Sequence, residues 1–146
     1  MKRFKFSLDV VKDYKEKLLE NLKKEQAAIL SSIAKQKRLI AQLEETERLV
    51  DGELNEKNIA GIAPHELINY KRYLRVLGND INREYEKLEK LEIAAEEKRI
   101  EILEMKKETT SLEKLEKKKI EEYNTMVRKE QELFIEEFVS NQKYSR

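Results

Sequence analysis

An unbroken heptad repeat occupies the second half of the chain. From Leu67 to Leu133, the positions that alternate by three and four residues hold apolar residues or tyrosine in fourteen of twenty cases. A hydrophobic repeat of 3.5 residues keeps one face of a helix against a partner, which is the pattern of a left-handed coiled coil. The spacing therefore predicts one long helix with an apolar seam that a second helix must cover.

Gly78 is the one weak point in this repeat. A glycine inside a helix costs about 1 kcal/mol relative to alanine. Leu77 and Ile81 keep the heptad phase on either side of it, so we predict that the helix passes through. A break at Gly78 and Asn79 is the alternative.

The first half of the chain carries a matching pattern. Ser7 is a suitable helix cap, and a heptad frame runs from Leu22 to Val50 with six of its nine positions aliphatic. Asp51 and Gly52 weaken the pattern after that. We predict a first helix over about 7–57 and a second over about 65–140.

A turn is predicted between the two helices, over about residues 58–64. Pro64 is the only proline of the chain, and Gly61 precedes it by three residues. Glycine permits a positive φ, while proline disfavours helical geometry before it and suits a first helical position. The two helices should therefore form an antiparallel hairpin.

Helix lengths give an expected register for this hairpin. At ~1.5 Å per residue the first helix should measure roughly 65 Å and the second roughly 110 Å. Folding back at the turn would place Val50 near Leu67, with paired residue numbers adding up to about 117–122, and Met1 near 116–121. The last ~25 residues would then lack a partner.

The seam also becomes polar towards the C-terminus, as an uncovered helix tolerates. The polar residues at seam positions there are Thr109, Glu116, Lys119 and Glu130. The predicted fold is all-α: a single domain over 1–146, formed by a long antiparallel two-helix coiled coil with a projecting C-terminal helix.

Composition excludes several classes of function. Charged residues make up 42% of the chain, the formal net charge is +1, and cysteine is absent. Regular leucine and isoleucine spacing argues against disorder, and near-neutrality argues against a nucleic-acid binder. The longest apolar run, of about four residues, is too short for a membrane span. The composition and the lack of a signal sequence indicate a soluble, intracellular protein.

No catalytic, cofactor or metal site is expected. The only histidine, His65, has no cysteine or second histidine with which to share a metal, and we predict an exposed turn residue. Adjacent acidic pairs such as Glu121 and Glu122 point about 100° apart on a helix, so they are better explained as solvated faces. We predict that the protein is not an enzyme.

The terminal segments are locally basic. Residues 1–24 hold eight lysines or arginines and four acids, and Lys117, Lys118 and Lys119 form a second cluster. The hairpin would bring the two regions together. They form either an ordinary solvated face or a docking end for an acidic partner.

The turn and the residues after it resemble a known family. Gly61-Ile62-Ala63 is followed by Leu67-Ile68-Asn69-Tyr70 and then by Tyr73. These uncharged pieces are unusual in a coiled coil, and they resemble the flagellar export protein FliJ family. The similarity is densest over residues 60–81 and extends along the chain in length, helix order and the Phe-Lys-Phe-Ser-Leu opening.

The resemblance implies a fold and a set of partners. The fold would be similar to the F1 ATPase gamma-subunit stalk. The chain would bind the flagellar export ATPase hexamer (FliI), contact the cytoplasmic region of the export gate protein FlhA, and escort flagellar export chaperones. It would be a monomer when free, cytoplasmic, and peripheral at the inner membrane of the flagellar base. No nucleic acid and no cofactor are implied.

The resemblance also implies two binding sites. The residues that match the gate-binding patch are Leu39, Leu43, Val50, Tyr73 and Leu77. The residues of the terminal end that would enter the ATPase are Phe4, Phe6, Met126, Leu133, Phe134 and Phe138. Thr46, Asp80 and Glu84 depart from some relatives, which leaves the outer limits of the gate patch open.

Two other functions fit the same sequence pattern. One is the equivalent stalk of an injectisome type III secretion system, which physics alone does not distinguish. The other is a structural coiled-coil dimer that pairs through its uncovered C-terminal helix and has no ATPase partner.

Overall fold

Two long α-helices packed against each other make up the fold. The computed structural model describes residues 2–144, and the described part contains no strand. Helix α1 spans Asp9–Ala60 and helix α2 spans Pro64–Tyr144. The predicted all-α fold is therefore confirmed.

Helix α1 begins at Asp9, two residues after the predicted Ser7 cap. The preceding turn is closed by the Asp9 amide, which donates to the Phe6 carbonyl at 3.1 Å. The Lys12 amide then donates to the Leu8 carbonyl at 2.8 Å as the first helical bond. Phe6 is only 8% exposed, so its burial fixes the entry of the chain into the helix.

The connection between the helices is shorter than predicted. Helix α1 continues through Gly52 and ends at Ala60, and only residues 61–63 are non-helical. Gly61 has a φ of 102°, a left-handed backbone that suits the residue after a helix. The Ala63 carbonyl accepts bonds from the Glu66 and Leu67 amides, both at 3.1 Å. Pro64 thus occupies the first helical position, where its missing donor costs nothing.

Packing divides the molecule into two units. The first, Leu22–Glu101, contains the turn and is called the turn unit. The second consists of the described parts of Met1–Asn21 and Ile102–Arg146 and is called the terminal unit. The prediction of a single domain over the whole chain stays a prediction.

Aliphatic side chains form the core of the turn unit. Helix α2 runs through Gly78 without a break, as predicted. The buried residues at predicted seam positions are Ile40, Leu77, Ile81 and Leu88. Leu54, at 1% exposure, is the most deeply buried of all. It extends the α1 frame by four residues beyond Val50, past Asp51 and Gly52, where the sequence pattern weakens.

This longer α1 corrects the predicted register. The numbers of contacting residues add up to 123 for Glu25 and Lys98 and to 127 for Lys57 and Tyr70. Val50 therefore pairs nearer to Leu74 than to Leu67. A shared surface groove lined by Asp51 and Leu74 agrees with this register. The prediction was wrong because it left the last turns of α1 out of the seam.

One polar pair interrupts the aliphatic seam. The Gln36 side-chain amide donates to the Glu84 carbonyl at 2.9 Å and also to the Glu84 carboxylate. Both residues occupy core positions of their heptads. The pair satisfies its own hydrogen-bonding groups, as a polar group inside a seam must.

The terminal unit closes its seam with charged residues. Lys12 Nζ lies 2.6 Å from a Glu116 carboxylate oxygen, and Lys15 Nζ lies 2.5 Å from Glu108. Thr109 is only 5% exposed, and its hydroxyl donates to the Lys106 carbonyl at 3.0 Å. Thr109 and Glu116 are therefore covered by α1. The idea that they mark an uncovered helix is wrong, because lysines of α1 lie opposite them.

Burial along α2 ends at Val127. Every described residue from 128 to 144 is exposed, including Glu130. Lys119 is exposed as well. Met1 lies outside the described residues, but Lys2 contacts Tyr123, slightly beyond the predicted 116–121.

Candidate partner-binding surfaces

The last turns of α2 carry a dense group of exposed apolar side chains. Phe134 is 69% exposed and Ile135 is 60% exposed. The remaining members of this group, here called the C-terminal apolar cluster, are Leu133, Phe138 and Val139. Scattered exposed aliphatics are ordinary on a protein surface, whereas a group of neighbouring exposed apolar side chains is a candidate interaction site.

The spacing of the apolar residues that lead into this cluster differs from that of the seam. Tyr123, Val127, Phe134 and Phe138 follow one another at intervals of four, seven and four residues. This spacing is closer to the 3.6-residue period of a straight helix than to the 3.5-residue period of a coiled coil. It suits a helix that enters a groove better than one that continues a two-stranded supercoil.

The predicted ATPase-binding residues fall into two environments, all within the terminal unit. Met126, Leu133, Phe134 and Phe138 are at least 50% exposed, and a shallow groove beside Phe134 is lined by Glu130, Gln131 and Ile135. These four side chains are free to contact a partner.

Phe4 and Phe6 instead hold the N-terminal segment in place. The Phe4 ring lies 5.6 Å from the Tyr123 ring, and the Tyr123 hydroxyl donates to the Lys2 carbonyl at 2.5 Å. Phe6 is buried. In this conformation both phenylalanines stabilise the terminal unit, and Phe6 has no surface to offer a partner.

The five predicted gate-binding residues all lie in the turn unit. Leu39 is 40% exposed and Tyr73 is 47% exposed, whereas Leu43 and Val50 are half-buried. Leu77 is only 5% exposed, so it packs in the core. Among the five, only Leu39 and Tyr73 are exposed enough to contact a partner directly.

Heptad positions place Leu39 and Tyr73 on one flank of the seam. Both occupy the position just before a core residue, and in an antiparallel pair such positions of the two helices lie on the same side of the seam. Tyr85 lies on the opposite flank, where its hydroxyl donates to the Glu44 carboxylate. The flank therefore distinguishes two tyrosines of equal exposure, 47% each.

The three departures from the family pattern have partners within the chain. The Thr46 hydroxyl donates to the Gln42 carbonyl at 3.0 Å, and Asp80 pairs with Arg83. The hydrogen bond from Gln36, with a further contribution from Lys87, holds the pKa of the Glu84 carboxyl below its usual value. These groups are engaged within the turn unit.

A groove beside Tyr73 escaped the sequence analysis. Lys57 Nζ lies 5.0 Å from the centroid of the Tyr70 ring, and hydrogen bonding to Tyr70 raises the pKa of Lys57. Lys57 and Tyr70 line the groove together with Glu66, Asn69 and Tyr73. Lys57 is the last residue of the predicted first helix, outside the predicted heptad frame, so nothing in the sequence pattern pointed to this contact.

The basic residues at the terminal end are partly neutralised. The hydrogen bond to Glu116 raises the pKa of Lys12, and Lys15 pairs with Glu108. Two cations of the predicted basic end are thus held in the seam. This arrangement favours the ordinary solvated face over a docking end for an acidic partner.

The described residues offer no group of metal ligands. His65 is exposed in the first turn of α2. Over residues 2–144, no three histidine, cysteine or acidic side chains are grouped so that they could hold a metal ion. None of the described helical segments is long and apolar enough to cross a membrane.

Comparison with known proteins adds one match. The family model for the flagellar FliJ protein matches residues 4–146, which is nearly the whole chain. Neither a curated protein nor a solved structure is significantly similar to the chain.

Proposed function

The chain belongs to the FliJ family, a component of flagellar type III export, and on that premise we propose that it is the non-enzymatic stalk of the export ATPase. Its terminal unit would bind the hexameric export ATPase (FliI) and promote its assembly and turnover. The observation that carries this proposal is the exposed C-terminal apolar cluster on a helix whose partner has ended.

Burial of this cluster supplies the driving force for the contact. Full burial of one phenylalanine or leucine side chain contributes roughly 1.5–3 kcal/mol. Phe134 and Phe138 lie four residues apart, on one face of α2, and both are more than half exposed. Two such side chains on one helix face are the usual means by which a helix binds a groove. In this proposal the C-terminal part of α2 projects into the ATPase, as the gamma-subunit stalk does in the F1 ATPase.

The test is a pair of double variants, each of which replaces two exposed apolar side chains by serine. Phe134→Ser with Phe138→Ser should abolish stimulation of ATP hydrolysis by the purified export ATPase. Ile93→Ser with Ile100→Ser, which removes two exposed aliphatics from the turn unit, should leave the stimulation intact. Both variants should melt like the unmodified chain. Full stimulation by the first variant would refute the terminal contact.

The turn unit supports a second contact, with the cytoplasmic region of the export gate protein FlhA. In this proposal Leu39 and Tyr73 touch the gate, while half-buried Leu43 and Val50 and buried Leu77 shape the surface from beneath. Aromatic side chains with one free face are frequent anchors of protein interfaces.

The two equally exposed tyrosines provide the matched test. Tyr73→Ala should weaken capture of the gate's cytoplasmic region, and Tyr85→Ala on the opposite flank should not. Neither substitution should alter ATPase stimulation. Equal loss with both variants would mean that the flank does not define the gate contact.

The remaining parts of the proposal follow from family membership. The chain would act as a monomer, escort export chaperones, and reside in the cytoplasm, peripheral to the inner membrane at the flagellar base. Co-purification of a chaperone with the chain, and its loss on deletion of one region, would locate that site.

A further inference from the structure

The outer face of α2, opposite the seam, changes character along the turn unit. Its first five turns carry cations and aliphatic side chains, whereas acids occupy the same face further on. The residues of the first part, here called the basic strip, are His65, Ile68, Lys71, Arg72, Arg75 and Val76. All six are exposed. Lys71 lies at the edge of this face, at a position that flanks the seam, and the two acids of this stretch, Glu66 and Asp80, flank the seam on its other side.

Arg72 and Arg75 of the basic strip form no ion pair with any described residue, unlike three other arginines of the two helices. Arg48, Arg83 and Arg99 each pair with an acid three residues earlier in the chain. Three residues before Arg72 and Arg75 the sequence holds Asn69 and Arg72 instead. Within residues 2–144, no carboxylate lies within ion-pair distance of these two arginines. Their charge is available to an external anion.

Aliphatic side chains alternate with these cations. Ile68 is 57% exposed and Val76 is 50% exposed, and both share the face of Arg72 and Arg75. Ile59, in the last turn of α1, is 89% exposed. A helix face that mixes arginine or lysine with aliphatic residues is suited to the boundary between lipid headgroups and acyl chains.

The shape of the strip selects among anionic partners. The outer face of a helix is convex, so it offers no groove to a peptide, while a planar surface can meet several of its side chains at once. A guanidinium group also binds phosphate oxygens through two parallel hydrogen bonds. We propose that the basic strip binds the surface of a membrane that contains anionic phospholipids, with Arg72 and Arg75 on the phosphates and Ile68 and Val76 between the headgroups.

The same helix contains a natural counterexample. Ile93 and Ile100 are 53% and 44% exposed on the outer face, where the neighbouring charges are Glu86, Glu89, Glu96 and Glu97 with Lys90 as the one cation among them. An anionic surface repels that segment. Apolar exposure alone therefore does not distinguish the two parts of α2, and the charge does.

Vesicle sedimentation with the full chain tests the inference. We expect binding to vesicles of phosphatidylcholine with phosphatidylglycerol, little binding to phosphatidylcholine alone, and loss of binding in high salt. Replacing Lys71, Arg72 and Arg75 by glutamine should lower the partition coefficient on the order of a hundredfold, since each cation near an anionic surface contributes about 1 kcal/mol.

A charge-matched control distinguishes the effect of the strip residues from the effect of the net charge of the chain. Arg48→Gln, Lys87→Gln and Arg99→Gln together remove three cations that pair with acids outside the strip, and this variant should still bind anionic vesicles. Equal loss in both variants, or equal binding to neutral vesicles, would overturn the proposal. The proposal would also be overturned if neither the unmodified chain nor any variant bound vesicles, while the unmodified chain bound a DNA duplex and the strip variant did not.

The outcome is independent of the ATPase contact. The strip lies in the turn unit, so the strip variant should stimulate the export ATPase as the unmodified chain does. Loss of both properties in a variant with unchanged helix content and melting temperature would overturn the assignment of a separate membrane-binding strip.

Discussion

The turn unit and the terminal unit use the same two helices and the same heptad spacing, but they close their seams with different chemistry. Aliphatic residues such as Ile40, Leu54 and Ile81 fill the seam of the turn unit. In the terminal unit, Lys12 and Lys15 reach carboxylates of α2 across the seam. The turn unit also has one such pair, Lys98 with Glu25, but it buries five aliphatic side chains, whereas the terminal unit buries Phe6 and Ile102. The two units therefore differ in the balance between apolar burial and ion pairing.

The difference has consequences for stability. Apolar burial is insensitive to salt screening, whereas ion pairs that water can reach contribute little and less at high ionic strength. The terminal unit should therefore open locally while the turn unit stays folded. A single free energy of unfolding would then not describe the whole chain.

The largest effect should come from the apolar seam. Leu54→Ala removes a side chain of 1% exposure and should destabilise the turn unit by about 3 kcal/mol, because it leaves a cavity. Leu49→Ala, at 57% exposure, serves as the control and should change stability by less than about 0.5 kcal/mol. Urea denaturation followed by circular dichroism measures both. Similar losses for the two variants would contradict the assignment of Leu54 to the core.

Substitutions at two glycines should change the stability of the turn unit in opposite directions. Gly78→Ala should stabilise it by about 1 kcal/mol, since the helix is continuous there and the new Cβ would lie 4.0 Å from the nearest Glu47 carboxylate oxygen. Gly61→Ala should destabilise it by about 1–2 kcal/mol, because φ is 102°. Hydrogen exchange should show the gain from Gly78→Ala in turn-unit amides and little change in α1 before Leu22. A uniform gain over both units would mean that they unfold together.

Added salt should produce a smaller difference in stability between the two units. Added sodium chloride should reduce the hydrogen-exchange protection of amides in residues 12–21 relative to those in residues 36–50, because it screens the pairs of Lys12 and Lys15. Lys12→Met with Glu116→Met should remove most of this salt dependence. A salt response of equal size in both segments would show that the terminal seam is held by its apolar residues.

Acid should have the smallest effect, and its sign follows from Glu84. The pKa of this carboxyl is lowered, first by the Gln36 hydrogen bond and then by Lys87. A lowered pKa in the folded state stabilises the fold at pH values above the unfolded pKa, about 4.3, and this contribution is lost as the pH falls through the folded-state pKa. Glu84→Gln should therefore reduce the difference in melting temperature between pH about 6 and about 3. An unchanged difference would show that other carboxylates dominate the acid response.

Sequence periodicity predicted much of this fold. The α2 frame from Leu67 onward corresponds to buried or half-buried residues as far as Glu116, and the glycine and proline of the turn lie where the backbone needs them. These features depend on local geometry and on the burial of a regular face, both of which a single sequence records.

The errors arose where the partner residue determines the outcome. Thr109 and Glu116 look unsuitable for a covered seam until Lys12 and Lys15 are seen opposite them. The heptad frame continued backwards from Leu22 by three and four residues reaches Lys15 and Lys12, but the predicted frame began only at Leu22. The register error has the same origin, because Leu54 follows a glycine that normally weakens a helix.

The candidate surfaces were predicted less completely than the fold. Exposure separated Tyr73 from Leu77, although both match the same family pattern. Whether Arg72 and Arg75 form ion pairs depends on which carboxylates come near them in the folded chain. Sequence spacing shows only the neighbours within the same helix.

The hydrogen bonds between Gln36 and Glu84 also bear on how the turn unit carries a force. A slip of one heptad would place Gln36 beside Leu77 or Leu91 and would leave the Glu84 carboxylate facing Leu43 or Ile29. Either arrangement strands a polar group among aliphatic side chains, which costs several times more than a shifted leucine contact. The two helices of the turn unit therefore resist sliding past each other. A force along their axis would compress the helix pair as one unit and would not shift its register.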